Sequence, residues 1–166
     1  TNIKIQQKNT PFISEDDVSN LLTQNELATN NKPKEILDLN AIEALLNNNQ
    51  MVKKAEVFMS VNGVVTAEIQ QKTPIARVQK SKAFYIDQDG TLMPLSKNYT
   101  ARVPFITGMV SSKHYKTAYE FAKYVYGDPL LKSQVYEIIQ DAEQNIKFKI
   151  RAADFVIDLG SHKAIE

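Results

Sequence analysis

AEVFMSVNGVVTAEIQQKTPIARV, residues 55–78, decides the fold, because a strand-forming run turns back at Asn62-Gly63 and is then interrupted at Pro74. Ala55, Val57, Met59 and Val61 recur at every second position, as do Val65, Ala67 and Ile69, the period of a half-buried hairpin. Two registers are open. A two-residue turn pairs Val61 with Val64 and sets Val57 opposite Glu68, which mixes the faces. A three-residue loop with Gly63 in a G1 bulge pairs Met59 with Val65, Val57 with Ala67 and Ala55 with Ile69. The second register is the better of the two: it buries one clean face and costs only a like-charge pair, Glu56 opposite Glu68.

Proline has no N–H to give a ladder and is confined to edges, bulges and strand starts. Pro74 therefore reads as the point where one sheet ends and Ile75 to Val78 enter another. Thr73, Pro74, Ile75, Ala76 and Arg77 form the expected interdomain junction, dividing the chain into residues 1–72 and 73–166. With only 5 Gly in the chain and no Gly/Ser run, the joint is expected to be stiff.

Upstream of the hairpin, TNIKIQQ (1–7) alternates as a short strand. In FISEDDVSNLL (12–22), Ser14 and Asp17 are spaced as a capping box, Ile13 and Val18 as a hydrophobic staple, and Leu21 and Leu22 continue the apolar stripe. TNNKP (29–33) reads as a loop. LDLNAIEALLNNN (37–49) predicts a second helix, with Asn40 as cap, Glu43 three residues on, and Ile42, Leu45 and Leu46 on one face. The first 72 residues thus read strand, helix, helix, strand, strand.

Downstream, FYID (84–87), TLMPL (91–95) and RVPFIT (102–107) are short strand signals, and DQDG (87–90) is a turn. SKHYKTAYEFAKYVYGDP (112–129) predicts a helix with Tyr115, Ala118, Tyr119, Ala122, Val125 and Tyr126 on one face, Gly127 at C′ and Pro129 as the stop. LLKSQ (130–134) adds a helical turn. YEIIQD (136–141), NIKFKI (145–150) and FVIDLG (155–160) close the chain as a β-meander. The fold class is α+β, a β-α-α-β-β module followed by a β-rich domain with one main helix.

Composition narrows the function. Lys plus Arg number 20 against 19 acidic residues, a net charge of +1 in 166 residues, so the electrostatic footprint of a nucleic-acid binder is missing. There is no cysteine, hence no disulfide scaffold, thiol nucleophile or thiolate metal site. No apolar run approaches the ~18 residues of a membrane span, and TNIKIQQKN lacks the apolar core of a signal peptide. A start at Thr1 and an end at GSHKAIE predict a chain cut from a longer one.

Chemistry is equally sparse. Asp87, Asp89 and Gly90 begin a calcium-loop pattern but lack its third acidic ligand and its distal carboxylate, and a β-turn explains them. His114 and His162 have no zinc spacing. Ser111 and Ser112 beside Lys113 are sequence neighbours that do not face one another on a helix. G-x-S-x-G, P-loop and G-x-G-x-x-G patterns are absent. Tyr115, Tyr119 and Tyr126 are either core or a binding surface, and their helical spacing favours core. No catalytic residue, cofactor or metal is expected.

The residues FISEDDV, MVKKAEVFMSVNGVVTAEIQQKTPIARV, FYIDQDGTLMPLSKNYTARVPFITG and FVIDLG together resemble the extracytoplasmic part of the FtsQ/DivIB cell-division family, in its Bacteroidetes-like form. TPIAR followed by YIDQDG and PFITG is the family-specific part; the first module alone resembles POTRA domains in general. The resemblance implies a POTRA domain over 1–72 and a β domain over 73–166. It further implies a noncatalytic divisome scaffold on the periplasmic side of the inner membrane, anchored by a single span missing from this chain. The implied partners are FtsB/FtsL-like proteins at the β domain and FtsK-like proteins at the POTRA domain. Family β domains continue after the DLG strand with a helix and a further strand that binds the partner, so this chain is expected to end short of that element. Phe155, Val156, Ile157, Asp158 and Leu159 are then the expected exposed edge for pairing with another chain. The competing readings are a POTRA module of outer-membrane protein assembly or secretion, and an enzyme.

Overall fold

Ser14 and Asp17 form the reciprocal cap their spacing calls for. In the computed structural model, which describes residues 2–6, 12–28, 38–79, 82–108 and 115–160, the Asp17 N–H donates to Ser14 Oγ at 3.1 Å and the Ser14 N–H to Asp17 Oδ2 at 2.9 Å. Two of the orphan donors at the start of helix α1 (Glu15–Ala28) are thereby satisfied. Ile13 and Val18, the two staple positions, are both buried.

Helix α2 (Leu39–Asn47) is capped two residues earlier than the sequence suggests. Asp38, in extended backbone, accepts from the Ala41 N–H at 3.0 Å, and Asn40 lies inside the helix. Asp and Asn cap equally well, so composition could not choose between them. Glu43 is free of a capping role and instead accepts from the Val57 N–H at 3.0 Å.

The hairpin joins β2 (Val52–Met59) to β3 (Val65–Gln71) in the three-residue register, with Met59 opposite Val65, Val57 opposite Ala67 and Glu56 opposite Glu68. Gly63, at φ +79°, closes the loop by donating to the Ser60 carbonyl at 2.9 Å. Strand β1 (Asn2–Gln6) lies parallel to β3, giving the order β1-β3-β2. Ile13, Val18, Leu46, Val52, Ala55, Ala67 and Ile69 form the core of this unit. The buried face is shorter than expected. Met59 is 56% exposed, because β2 runs on past the stretch that meets this core.

The outer side of β2 is not left bare. The Ala55 N–H donates to Asn47 Oδ1 at 2.8 Å, and Asn47 Nδ2 donates to the Ala55 carbonyl at 3.2 Å. Replacing Asn47 by alanine loses both bonds and is expected to cost about 2 kcal/mol, read as a lower urea midpoint with an unchanged m-value. An unchanged midpoint would show that water serves the edge as well.

The described chain falls into two units, Thr1–Lys72 with Ser96–Thr100, and Thr73–Leu95 with Ala101–Glu166. The return of 96–100 to the first unit is not visible in the sequence. There Ser96 Oγ donates to the Phe12 carbonyl at 2.6 Å, Asn98 Nδ2 donates to Asp17 at 2.7 Å, and the Tyr99 ring meets Phe12 edge-on at 5.1 Å.

In the second unit Pro74 is the first residue of β4 (Pro74–Val78), a position that wastes no ladder donor, while β3 ends at Gln71 in the other sheet. The strands β5 (Phe84–Asp87), β6 (Leu92–Met93), β7 (Phe105–Gly108), β8 (Val135–Gln140), β9 (Ile146–Ile150) and β10 (Val156–Gly160) complete a sheet of order β10-β9-β8-β7-β4-β5-β6. Its centre is parallel, β4 to β7 and β7 to β8, and its flanks are antiparallel. Helices α3 (Lys116–Gly127) and α4 (Pro129–Gln134) lie between β7 and β8 in the chain, the crossover that parallel pairing requires.

Helix α3 lays Ala118, Phe121, Ala122 and Val125 on the core, with Tyr115, Tyr119 and Tyr126 packed at its margin. The tyrosines belong to the fold. Tyr119 donates to the Gln88 carbonyl at 2.9 Å and Tyr115 to the Gly90 carbonyl at 3.3 Å, so both hold the 87–90 turn. Pro129 does more than stop a helix. It opens α4, whose Leu130 and Leu131 N–H groups are capped by Asp128 at 2.8 and 2.9 Å.

Candidate functional site

Cross-strand register sorts the second sheet into two faces. Phe84, Val78, Ile106, Ile138, Phe148 and Ile157 stand in one row across six strands, and all pack into the core beneath α3. The neighbouring row is Arg77, Phe105, Glu137, Lys149 and Val156, on the opposite face. This face is mixed rather than apolar. Phe105 is 41% and Val156 48% exposed.

Two ion pairs organise it. Lys149 Nζ lies 2.8 Å from Glu137 Oε2, and Lys147 Nζ lies 3.3 Å from Asp158 Oδ2. The hydrogen bond from Lys149, with a second from the Thr107 hydroxyl at 2.8 Å, holds the Glu137 carboxyl below its ordinary 4.5 against the opposing effect of burial. A depressed carboxyl stabilises the fold above its unfolded pKa, and that contribution is lost as pH falls through the folded value. The stability difference between the protein and its Glu137→Gln variant is therefore expected to be full near neutrality and to shrink below about pH 4.5. Urea unfolding across that range checks it; a difference that grows on acidification would contradict the pairing.

Strand β10 ends the sheet. Among the described residues it pairs with β9 alone, Val156 opposite Lys149 and Ile157 opposite Phe148, and its register shifts between Asp158 and Gly160. Ile157 and Leu159 anchor it to the core, whereas Phe155, just before the strand, is 58% exposed. The other end strands differ. Strand β6 has 2 residues, β2 carries Asn47 and Glu43 along its outer side, and β1 ends the three-stranded sheet.

The junction residues are dispersed. The Thr73 carbonyl accepts from the Gln88 N–H at 3.0 Å, Pro74, Ile75 and Ala76 are buried in the second unit, and Arg77 projects on its opposite face. Asp87 is buried, and its carboxylate accepts from the Asp89 and Thr91 N–H groups at 3.0 and 2.7 Å and from the Thr91 hydroxyl at 2.7 Å. The turn uses that carboxylate itself. Among the described residues no group of three or more His, Asp or Glu side chains is placed to hold a metal. Ser111, Ser112, Lys113, His114 and His162 lie outside the described residues.

Residues 73–166 match a family model described as FtsQ/DivIB, C-terminal related. Residues 1–70 match a POTRA-like domain. No curated protein matches the chain.

Proposed function

From the premise that the chain belongs to the FtsQ/DivIB, C-terminal related family, we propose that it is a noncatalytic scaffold of the bacterial divisome that recruits other cell-division proteins at the septum. FtsQ/DivIB proteins are noncatalytic division proteins that interact with other divisome components and are typically membrane-anchored. The observation that carries the reading for this chain is the terminal position of β10 within the matched segment. An end strand exposes a row of N–H and C=O groups that a partner strand can pair with.

On this reading residues 73–166 are the β domain and engage FtsB/FtsL-type partners at Val156, Ile157, Asp158 and Leu159, with Phe155 as an apolar contact beside the edge. Residues 1–72 are the POTRA domain and meet FtsK-like partners. The portion described lies on the periplasmic side of the inner membrane, anchored by a span outside it; no helix among the described residues is long and apolar enough to cross a membrane.

Depletion of the full-length protein is expected to give filaments with unconstricted septa, and a fluorescent fusion is expected to gather at the division site. Normal septation with loss of outer-membrane barrel proteins would overturn the reading in favour of an assembly module.

A further inference from the structure

The end of the β2–β3 hairpin is apolar on both faces and at its tip. Phe58 is 45%, Met59 56% and Val64 38% exposed, and Val61 is exposed in full. Residues 57–67, VFMSVNGVVTA, carry no charge. Phe58 and Met59 are successive strand residues and so point to opposite faces of the hairpin, while Val61 and Val64 belong to the loop between the strands. The core of the unit takes Val52, Ala55, Ala67 and Ile69 from these strands and stops short of this end. Contiguous exposed apolar surface of this kind marks a contact with something else.

The loop keeps its polar groups to itself. The Ser60 N–H donates to the Val64 carbonyl and the Gly63 N–H to the Ser60 carbonyl, each at 2.9 Å, and the Ser60 hydroxyl donates to Asn62 Oδ1. Polar groups bonded within the segment suit a medium poor in water.

Two observations select that medium. A protein surface covers one face of a hairpin, whereas apolar side chains on both faces and at the tip are covered together only by a medium that surrounds them, as the headgroup and acyl boundary of a bilayer does. The second observation is where the chain enters the unit. Strand β1 runs parallel to β3 with Asn2 opposite Thr66, and Thr66 lies opposite Phe58, so the first strand starts at the hairpin-tip end of the sheet. An anchoring span joined ahead of β1 brings the bilayer to this same end.

We infer that the 58–64 tip inserts into the bilayer interface beside the anchor, with Phe58, Met59, Val61 and Val64 among the lipids, and so fixes the orientation of the first unit on the membrane. The inference rests on the anchoring proposed above and is independent of strand pairing at β10.

Such a tip binds a bilayer only marginally by itself, as a single acyl chain does. The test therefore holds the 166-residue chain, through hexahistidine at its N-terminus, on phosphatidylethanolamine and phosphatidylglycerol vesicles that carry a nickel-chelating lipid. The chain has no cysteine, so Val61→Cys takes a single nitrobenzoxadiazole label. Gln50→Cys, exposed in the turn before β2 at the other end of the sheet, takes the comparison label. Blue-shifted emission that spin-labelled lipid quenches is expected at position 61 and not at position 50. Val64→Asp is expected to abolish both signals, and Phe58→Ser to weaken them, in chains that circular dichroism shows to be folded. Aqueous emission at position 61 of the tethered chain, or equal shifts at 61 and 50, would overturn the inference. So would the same blue shift without vesicles, rising with protein concentration, which would make the tip a contact between copies of the chain. Capture of partner segments at β10 is read separately: its loss with insertion intact overturns the scaffold reading alone, and loss of insertion with capture intact overturns this inference alone.

Discussion

Gly108→Ala is expected to destabilise the protein by about 3 kcal/mol, the sum of a left-handed backbone penalty and an overpacking cost. Gly108 ends β7 at φ +90°, opposite Gln140 in the parallel β7–β8 pair. A Cβ built there falls 2.3 Å from the Gln140 carbonyl oxygen and 3.4 Å from its backbone nitrogen. Those atoms belong to the ladder and cannot swing aside as a side chain would. Gln140 is itself fully buried and its Oε1 accepts from the Ala118 N–H at 3.1 Å, so displacing its backbone also disturbs the start of α3. For a unit of this size the cost corresponds to a fall of roughly 15 °C in Tm. Gly63→Ala is the control: its φ is +79° but nothing lies within 4 Å of the new Cβ, so only the backbone term, about 1 kcal/mol, applies. Equal Tm shifts for the two variants would mean that the contact at Gln140 carries no energy.

Proline in β10 is expected to abolish partner recruitment without unfolding the protein. In an antiparallel pair, successive residues direct their N–H groups alternately toward the neighbouring strand and away from it. Of Val156→Pro and Ile157→Pro, one therefore removes a bond to β9 and the other removes an N–H offered to a partner. The second kind should leave the protein folded and weaken recruitment by at least about tenfold, since strand addition draws its affinity from main-chain bonds. Capture of the partner segments by the 166-residue variants, measured beside the thermal unfolding of each, separates the two. Two variants that both fold and both recruit normally would remove β10 from the interaction.

The legible parts of the fold were those where one local rule excludes its alternatives. The register of β2 with β3 followed from the need to keep Ala55, Val57, Ala67 and Ile69 on one face, since a slip by one residue exposes them all. The cap at Ser14 was legible because Asp17 and the apolar pair Ile13 and Val18 agree with it. Pro74 marked the start of β4 because a proline has few other places in a sheet.

The parallel centre of the second sheet was not legible. RVPFIT holds three of the four residues of β7, too short a run to specify that they lie between β4 and β8. For the same reason the row of side chains on the face away from α3 was missed. Arg77, Phe105 and Glu137 come from three strands far apart in sequence, and only the pairing of β4, β7 and β8 sets them side by side. Read along the chain, Arg77 is simply the end of TPIAR. Its unpaired Nε has no sequence signal at all.

The proposal that β10 is a docking edge is tested most directly by a photoactivatable amino acid at Val156 of the 166-residue chain mixed with the extracytoplasmic segments of small single-span division proteins, with Leu130 of α4, 69% exposed, as the comparison site. Covalent adducts with small single-span division proteins are expected from position 156 and not from position 130. Binding of those segments to the chain without any adduct from position 156 would contradict it.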